Sequence, residues 1–237
     1  MSGTDRYPSA GHVEPGGPAA VRELETCTIR KLSVGPMDNN AYLVTSRATG
    51  AQVLVDAAAE PERLLDLVAQ GSPAGRLDLV VTTHRHSDHL GALAAVLAAT
   101  GAAHAAGAAD TRAVAEAAAT TVPRGLGHGD RLHVGDLVLE VVTLRGHTPG
   151  AVALALTDGS GPDLRGGRTH LFTGDSLFPG GPGRTTSPAD FASLMTDLAE
   201  RVFAGRDDTT WVYPGHGDDT TLGAERPHLP SWWARGW

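Results

Sequence analysis

Short apolar segments separated by turn residues run through most of the chain, and their periods predict alternating strands and helices. Helices are expected at residues 61–70, 89–100, 110–119 and 188–203, where apolar residues recur three and four positions apart. Strands are expected where β-branched and other apolar residues cluster between turns. Their ranges are 26–32, 41–45, 52–56, 77–82, 132–134, 137–144, 151–157, 170–173 and 211–213.

Local signals support several of these boundaries. Pro61 suits the first turn of a helix, and Ser187 followed by Pro188 is typical of a capped helix start. The continuous apolar run at 77–82 predicts a strand that is buried on both faces of a sheet. Residues 159–168, rich in Gly and Arg, are expected to form a loop.

The first 22 residues have a different composition from the rest of the chain. They are rich in Gly, Pro and Ser, so we predict a disordered extension at 1–22. The remaining residues, 23–237, are enough for one well-buried domain and too few for two.

Charge and composition exclude several classes of partner. The net charge of −8 argues against a nucleic acid or an anionic membrane, because either would need a basic face. The single cysteine, Cys27, excludes an internal disulfide. With no secretory signal and no run of about 20 apolar residues, the chain is expected to be cytoplasmic, as a monomer or homodimer.

Candidate chemistry is concentrated directly after the predicted strands. Three histidines and an aspartate fall within six residues after the strand at 77–82, and three further residues each follow a later strand. Such a cluster has little structural use, whereas imidazole nitrogens and carboxylate oxygens are the ligands that Zn²⁺ accepts. We therefore predict a metal site made by His84, His86, Asp88, His89, His147, Asp175 and His216.

Seven ligands suit two divalent cations better than one. We predict one ion on His84, His86 and His147, a second ion on Asp88, His89 and His216, and Asp175 as the bridge between them. A shared carboxylate and a shared hydroxide offset the repulsion between cations about 3.5–4 Å apart. Zn²⁺ is the expected metal, with Fe or Mn also compatible. Catalysis is assigned to Asp88 and Asp175, around a metal-bound hydroxide that attacks an acyl carbon.

These motifs resemble those of the metallo-β-lactamase superfamily. The HxHxDH motif at 84–89 and the segments Gly146–Gly150, Thr173–Asp175 and Pro214–Gly217 stand in the order and context of that family. The resemblance covers residues 26–223. It implies an α+β fold, a four-layer αββα sandwich in which two mixed sheets pack face to face with helices outside. It also implies the partition of ligands given above.

Within the superfamily, the chain looks most like the short glyoxalase II-like hydrolases. Residues 37–43, 174–185 and 215–226 are similar to segments of these proteins. The resemblance implies a thioesterase that cleaves a small-molecule thioester of a low-molecular-weight thiol, as in hydroxyacylglutathione hydrolase. Substrate-binding roles are predicted for Asn40, Tyr42 and Arg184.

Two alternatives remain open at this point. A persulfide dioxygenase of the same fold would hold a single iron with His84, His147 and Asp175, which leaves positions open for O₂ chemistry. A lactone or β-lactam hydrolase would use the same dinuclear site, because any activated carbonyl is open to attack by the same hydroxide.

Overall fold

The computed structural model describes residues 7–72, 74–159 and 167–236. Within these residues a seven-stranded sheet and a six-stranded sheet form the fold, together with one small hairpin. The first sheet runs in chain order through β1 (Ala20–Glu23), β2 (Cys27–Val34), β3 (Asn39–Ser46), β4 (Gln52–Val55), β5 (Leu79–Thr82), β6 (Ala103–Gly107) and β7 (Arg124–Leu126).

The second sheet has the order β15-β14-β11-β10-β9-β8, and β12 pairs with β13 in the hairpin. All strand pairs of the second sheet are antiparallel except β11 and β14, which run parallel. The strands are β8 (Arg131–Val134), β9 (Leu137–Thr143), β10 (Val152–Thr157), β11 (Thr169–Gly174), β12 (Leu177–Phe178), β13 (Gly181–Pro182), β14 (Trp211–Pro214) and β15 (Thr220–Thr221).

The helices lie on the outer faces of the two sheets. In the described part of the chain they are α1 (Pro61–Gly71), α2 (Leu93–Thr100), α3 (Thr111–Ala118), α4 (Pro188–Asp197), α5 (Leu222–Glu225) and α6 (Leu229–Arg235). A π-helical turn, Leu198–Phe203, extends α4. None of the described helices combines the length and apolarity that crossing a bilayer requires.

Three apolar clusters separate the four layers. Neighbouring residues of β3 show the arrangement, because Leu43 packs with α1 residue Leu64 whereas Val44 packs with Phe172 of the opposite sheet. A third cluster joins the second sheet to Leu194 of α4. Successive side chains of a strand point to opposite faces, so a strand with both faces covered is apolar throughout. The predicted αββα sandwich is confirmed.

Some boundaries differ from the sequence prediction. Helix α2 begins at Leu93 rather than at residue 89, because residues Ser87–His89 form a separate 3₁₀ turn. Strands β6 and β7 were missed, since Ala and Gly give them little β propensity. Residues 160–166 of the predicted loop at 159–168 lie outside the described residues.

The prediction of a disordered segment at 1–22 is wrong for residues 7–22. Tyr7 and Val13 are buried in the cluster between the sheets, and β1 pairs with β2 from Ala20 onwards. These few apolar side chains fix the segment although its average composition is typical of disorder. Residues 1–6 lie outside the described part.

Parallel pairing brings the carboxyl ends of several strands to one edge of the sandwich. Strands β4, β5 and β6 are parallel neighbours in the first sheet, as are β11 and β14 in the second. The two sheets meet at this edge, where Asn39 bridges His216 and the amide of Val152 donates to the carbonyl of Thr83. Loops from both sheets therefore converge there.

Candidate metal centre

All seven predicted ligands lie at this edge of the sandwich. His84 follows β5, His147 follows β9, Asp175 follows β11 and His216 follows β14. The 3₁₀ turn after β5 supplies Asp88 and His89. Ligand atoms within 4.8 Å of one another form three overlapping groups, which are His84, His86 and His147; His84, His89 and Asp175; and Asp88, His89 and His216.

One half of the centre has the spacing of a small coordination sphere. His216 Nε2 lies 3.2 Å from His89 Nε2, 3.3 Å from Asp88 Oδ2 and 3.3 Å from Asp175 Oδ2. His89 Nε2 lies 3.5 Å from Asp88 Oδ2 and 3.4 Å from Asp175 Oδ1. A tetrahedral ion with bonds of about 2.0–2.1 Å separates its ligand atoms by about 3.3–3.4 Å. These residues therefore fit such an ion.

The other half is a group of three imidazoles beside the same carboxylate. The ring centroids of His84, His86 and His147 are 4.6–4.8 Å apart. Asp175 Oδ2 lies 3.6 Å from His147 Nε2 and 4.0 Å from His84 Nε2. Asp175 thus faces both halves, which is the position predicted for the bridge.

Hydrogen bonds on the far side of four imidazoles fix which nitrogen faces the centre. His89 Nδ1 donates to Asp56 Oδ2 at 2.9 Å, His147 Nδ1 to the carbonyl of Arg184 at 2.7 Å, and His216 Nδ1 to that of Met37 at 2.8 Å. Thr83 Oγ1 donates to Asp56, so it accepts from His84 Nδ1 at 3.0 Å. With Nδ1 protonated, each neutral ring directs the lone pair of Nε2 into the centre.

Several of these atoms are buried without a hydrogen bond. Among the described residues, His84 Nε2, His147 Nε2 and Asp175 Oδ1 have no hydrogen-bond partner. A buried acceptor without a partner is costly in free energy, and a cation would satisfy all three atoms. The donor set fits a metal on this ground too. That these residues bind metal stays a prediction.

The electrostatics of the centre favour positive charge. Burial lowers the pKa of His89, but Asp56 and Asp175 outweigh it and raise this pKa to about 10. Burial raises the pKa of Asp175, yet the imidazoles of His216 and His89, 3.3 and 3.4 Å from its oxygens, hold this pKa well below its usual range. Burial and the neighbouring His89 lower the pKa of His84, which is therefore neutral. The ionised carboxylates therefore favour a positive charge at His89, which a divalent cation can supply in place of the proton.

The structure adds three supporting residues that the sequence analysis missed. Asp56 follows β4 at the same edge and holds His89, Asn39 Nδ2 donates to Asp88 Oδ2 at 2.9 Å, and Asp110 accepts from Thr148 and from the amide of Gly150 in the His147 loop. Only Asp56 had a usable signal, because it follows a strand as the ligands do. Such partners orient metal ligands and strengthen binding.

Two predicted substrate-binding residues are placed elsewhere. Asn40 and Tyr42 are 1% and 2% exposed, and both side chains donate to the carbonyl of Pro214. We therefore correct their predicted role, because they face the backbone that precedes His216 and cannot reach a substrate. The strand pattern could not show this, since it depends on pairing with the second sheet.

Arg184, the third predicted substrate residue, is exposed and lines a cleft of about 520 Å³ beside the centre. The segment that forms one wall of the cleft also accepts the hydrogen bond from His147 through the Arg184 carbonyl. The lining residues are Pro182, Gly183, Arg184, Thr185, Thr186, Phe191, Arg235 and Gly236. A substrate role for Arg184 stays a prediction.

Comparisons with known proteins show which proteins this chain resembles. The family model of the metallo-beta-lactamase superfamily matches residues 34–216. A hydroxyacylglutathione hydrolase from Fuscovulum blasticum is 34% identical over 164 residues, which are 68% of this chain and 58% of that protein. This chain thus matches little more than half the length of that relative.

Two solved structures are similar in fold and sequence. ETHE1 from Myxococcus xanthus has a TM-score of 0.67 at 28% identity, over 85% of this chain and 83% of that one. The protein TTHA1623, solved in a di-iron-bound form, has a TM-score of 0.60 at 33% identity, over 83% of this chain and 96% of that one.

Proposed function

The chain belongs to the metallo-beta-lactamase superfamily, and from that premise we propose that it is a dinuclear metal hydrolase acting on a thioester of a low-molecular-weight thiol. The observation that carries the proposal is the approach of His89 Nε2 and His216 Nε2 to 3.2 Å. Both rings use Nδ1 as a donor to an oxygen on their far side, so the two Nε2 atoms face each other at this distance. Between two neutral rings this contact is repulsive, so it requires a positive charge beside the nitrogens, either a proton or the metal ion that we propose.

The proposed division of labour follows the two halves of the centre. His84, His86 and His147 hold one ion, Asp88, His89 and His216 hold the other, and Asp175 bridges them. When bound, two such ions lower the pKa of coordinated water to about 7 and polarise a carbonyl oxygen. Zn²⁺ is the metal we propose, since imidazole and carboxylate in tetrahedral spacing suit it.

The residues around the ions orient them and the substrate. Asp56 keeps His89 in the tautomer that binds metal, and Asn39 fixes one oxygen of Asp88. The cleft beside the centre, at about 520 Å³, has the size of a small-molecule site. Its guanidinium groups, Arg184 and Arg235, are proposed to face an anionic part of the substrate.

A thioester suits this arrangement because of its leaving group. A thiolate has a pKa near about 8.5, so it departs without a strong proton donor. Two carboxylates, Asp88 and Asp175, face the centre. Burial raises the pKa of each, but Asn39 beside Asp88 and His216 beside Asp175 are the largest of the opposing causes that bring both pKa values below their usual range. They are therefore ionised, and their proposed task is to hold metal.

Elemental analysis together with a substrate panel tests the proposal. We expect two metal ions per chain, and thiol release from S-D-lactoylglutathione or from a smaller thioester in a thiol-detection assay. Asp175→Ala should lose both ions and the activity, because its carboxylate faces both halves. His133→Ala is the matched control, because His133 is exposed on β8, outside the centre.

Two results would contradict the proposal. A protein that binds no metal from zinc, iron or manganese solutions cannot use this chemistry. A protein with a single iron that consumes O₂ with glutathione persulfide, and leaves thioesters intact, would instead support the dioxygenase alternative. Cleavage of lactones or β-lactams alone would keep the dinuclear centre and change the substrate class.

A further inference from the structure

A fully buried lysine lies next to the segment that carries His216. The side chains of Lys31 and Asp219 are both 0% exposed and form an ion pair at 2.7 Å. Lys31 Nζ also donates to the carbonyl of Gly11 at 2.7 Å and to that of Gly217 at 2.6 Å. An ammonium group has three N–H donors, so every one of them is used. One of the three acceptors belongs to the residue directly after His216.

The partner carboxylate ties the same segment to the start of the chain. Asp219 Oδ2 accepts from the hydroxyl of Tyr7 at 2.6 Å and from Trp211 Nε1 at 2.8 Å. The amide of Asp219 donates to the carbonyl of Ala10 at 2.8 Å. Residues 7–11 therefore pack across the segment 217–219 through side chains and backbone together, in a buried network where a lost partner leaves a charge uncompensated.

The chain on the other side of His216 is held by β3, whose Asn40 Nδ2 also donates to the carbonyl of Gly217 at 2.9 Å. The carbonyl of Pro214 accepts from Asn40 and Tyr42, and the carbonyl of Gly215 accepts from the amide of Asn40 at 2.7 Å. His216 is thus held on both sides, by β3 before it and by β3 together with the buried network after it.

We propose that residues 7–11, Lys31 and Asp219 form a positioning network for His216, which sets how tightly the centre holds the ion bound by Asp88, His89 and His216. This inference rests on the metal assignment proposed above. Metal ligands must lie within about 0.2 Å of their ideal distances. Small shifts of the 217–219 backbone should therefore lower the affinity for the ion that His216 helps to bind. The loops that carry His84, His86 and His147 make none of the network's hydrogen bonds, so the other ion should be spared.

Two glycines in the N-terminal segment provide a matched pair of variants. A Cβ at Gly11 would lie 2.2 Å from Asp219 Cγ and Oδ2, whereas a Cβ at Gly16 would have nothing within 4 Å. Both residues have positive φ, +64° and +76°, so each alanine carries a similar backbone strain. Both variants therefore carry the backbone strain, but only Gly11→Ala also displaces Asp219, which lies outside the metal centre.

The test is metal affinity, measured by competition with a chelating dye and by the absorption spectrum of the Co²⁺-loaded protein. We expect Gly11→Ala to bind one ion as the unaltered protein does and the second at least tenfold more weakly. The remaining Co²⁺ spectrum should match that of His216→Ala, which defines loss of the same site. Gly16→Ala should retain both affinities. Lys31→Met, which removes the ammonium but keeps an unbranched apolar side chain, should act in the same direction as Gly11→Ala.

The outcomes separate this inference from the proposed function. If the unaltered protein binds two ions and Gly11→Ala selectively weakens the second, the network positions His216. If Gly11→Ala keeps both affinities, or weakens both ions equally, the network only stabilises the fold and the inference is overturned. An unaltered protein that binds fewer than two ions would overturn the dinuclear assignment itself, before any variant is compared.

Discussion

Gly215 separates β14 from His216, and replacing it by alanine should disable the centre directly. A Cβ at this position would lie 2.0 Å from Asp175 Oδ1 and 2.8 Å from His89 Cε1. Gly215 has no positive φ, so the backbone itself would accept alanine. The consequence of Gly215→Ala is therefore steric, and it falls on the residue that faces both halves of the centre.

The size of the effect follows from these distances. Ordinary contact begins at 3.4 Å, so the Asp175 oxygen must move by 1.4 Å (3.4 minus 2.0). This is several times the tolerance of about 0.2 Å for a metal ligand. We expect metal affinity to fall at least about 100-fold, which corresponds to about 2.7 kcal/mol. The free energy of unfolding should fall by about 1–3 kcal/mol, as for other overpacked interiors.

The assay combines metal content after dialysis, thioester cleavage and thermal unfolding. Gly205→Ala is the matched control, because it makes the same change at a glycine with nothing within 4 Å and no positive φ. We expect Gly205→Ala to keep its metal and activity. Two bound ions and unchanged activity in Gly215→Ala would refute the assignment of Asp175 as the bridge.

Three other variants test parts of the structure that support the centre or the fold. Asp56→Asn should weaken metal binding about 10–100-fold, since an amide nitrogen facing His89 Nδ1 favours the wrong tautomer; an unchanged affinity in a dye competition would contradict this. Burial lowers the pKa of His170 to about 3, whereas in the unfolded chain its pKa is about 6.5. The unfolded state therefore takes up a proton first as the pH falls below about 6.5, and the protein loses stability from there towards pH 3. Between pH 7 and pH 5 the free energy of unfolding should therefore fall by about 2 kcal/mol more in the unaltered protein than in His170→Gln, and equal slopes in urea titrations would disprove it. Ser187→Ala removes the cap whose oxygen accepts from the amide of Asp190 at 3.1 Å, and should cost about 1 kcal/mol in the same titrations.

Residues with local chemical signatures could be predicted without the structure. His84, His86, Asp88 and His89 lie within six residues after an apolar run, and no folding information is needed to see that they form a group. The ends of strands and helices were also predicted to within a few residues where Pro, Gly or Ser mark them, as at Pro61. Where such marks were absent, as in the Ala-rich β6, the sequence signal failed.

Residues that act through distant partners could not be predicted. Tyr7 belongs to a segment with the composition of a disordered extension, yet its hydroxyl reaches Asp219 across 212 positions of the chain. Lys31 is a charged residue within a strand, and only the packing of β2 against residues 11 and 217 makes it buried. Asn40 and Tyr42 look equally suited to a pocket in sequence, but the pairing of β3 aims both at the Pro214 backbone.

The sequence by itself determined the kinds of atoms available for chemistry and the strands that deliver them, because residue type and local period are properties of neighbouring residues. The tertiary structure decided which imidazole nitrogens face inward, which carboxylate lies between the two groups, and which buried charges hold the His216 segment. Those outcomes depend on strand register and on contacts between residues far apart in the chain. Local pattern carries no information on such contacts, since many registers satisfy the same alternation of apolar and polar positions.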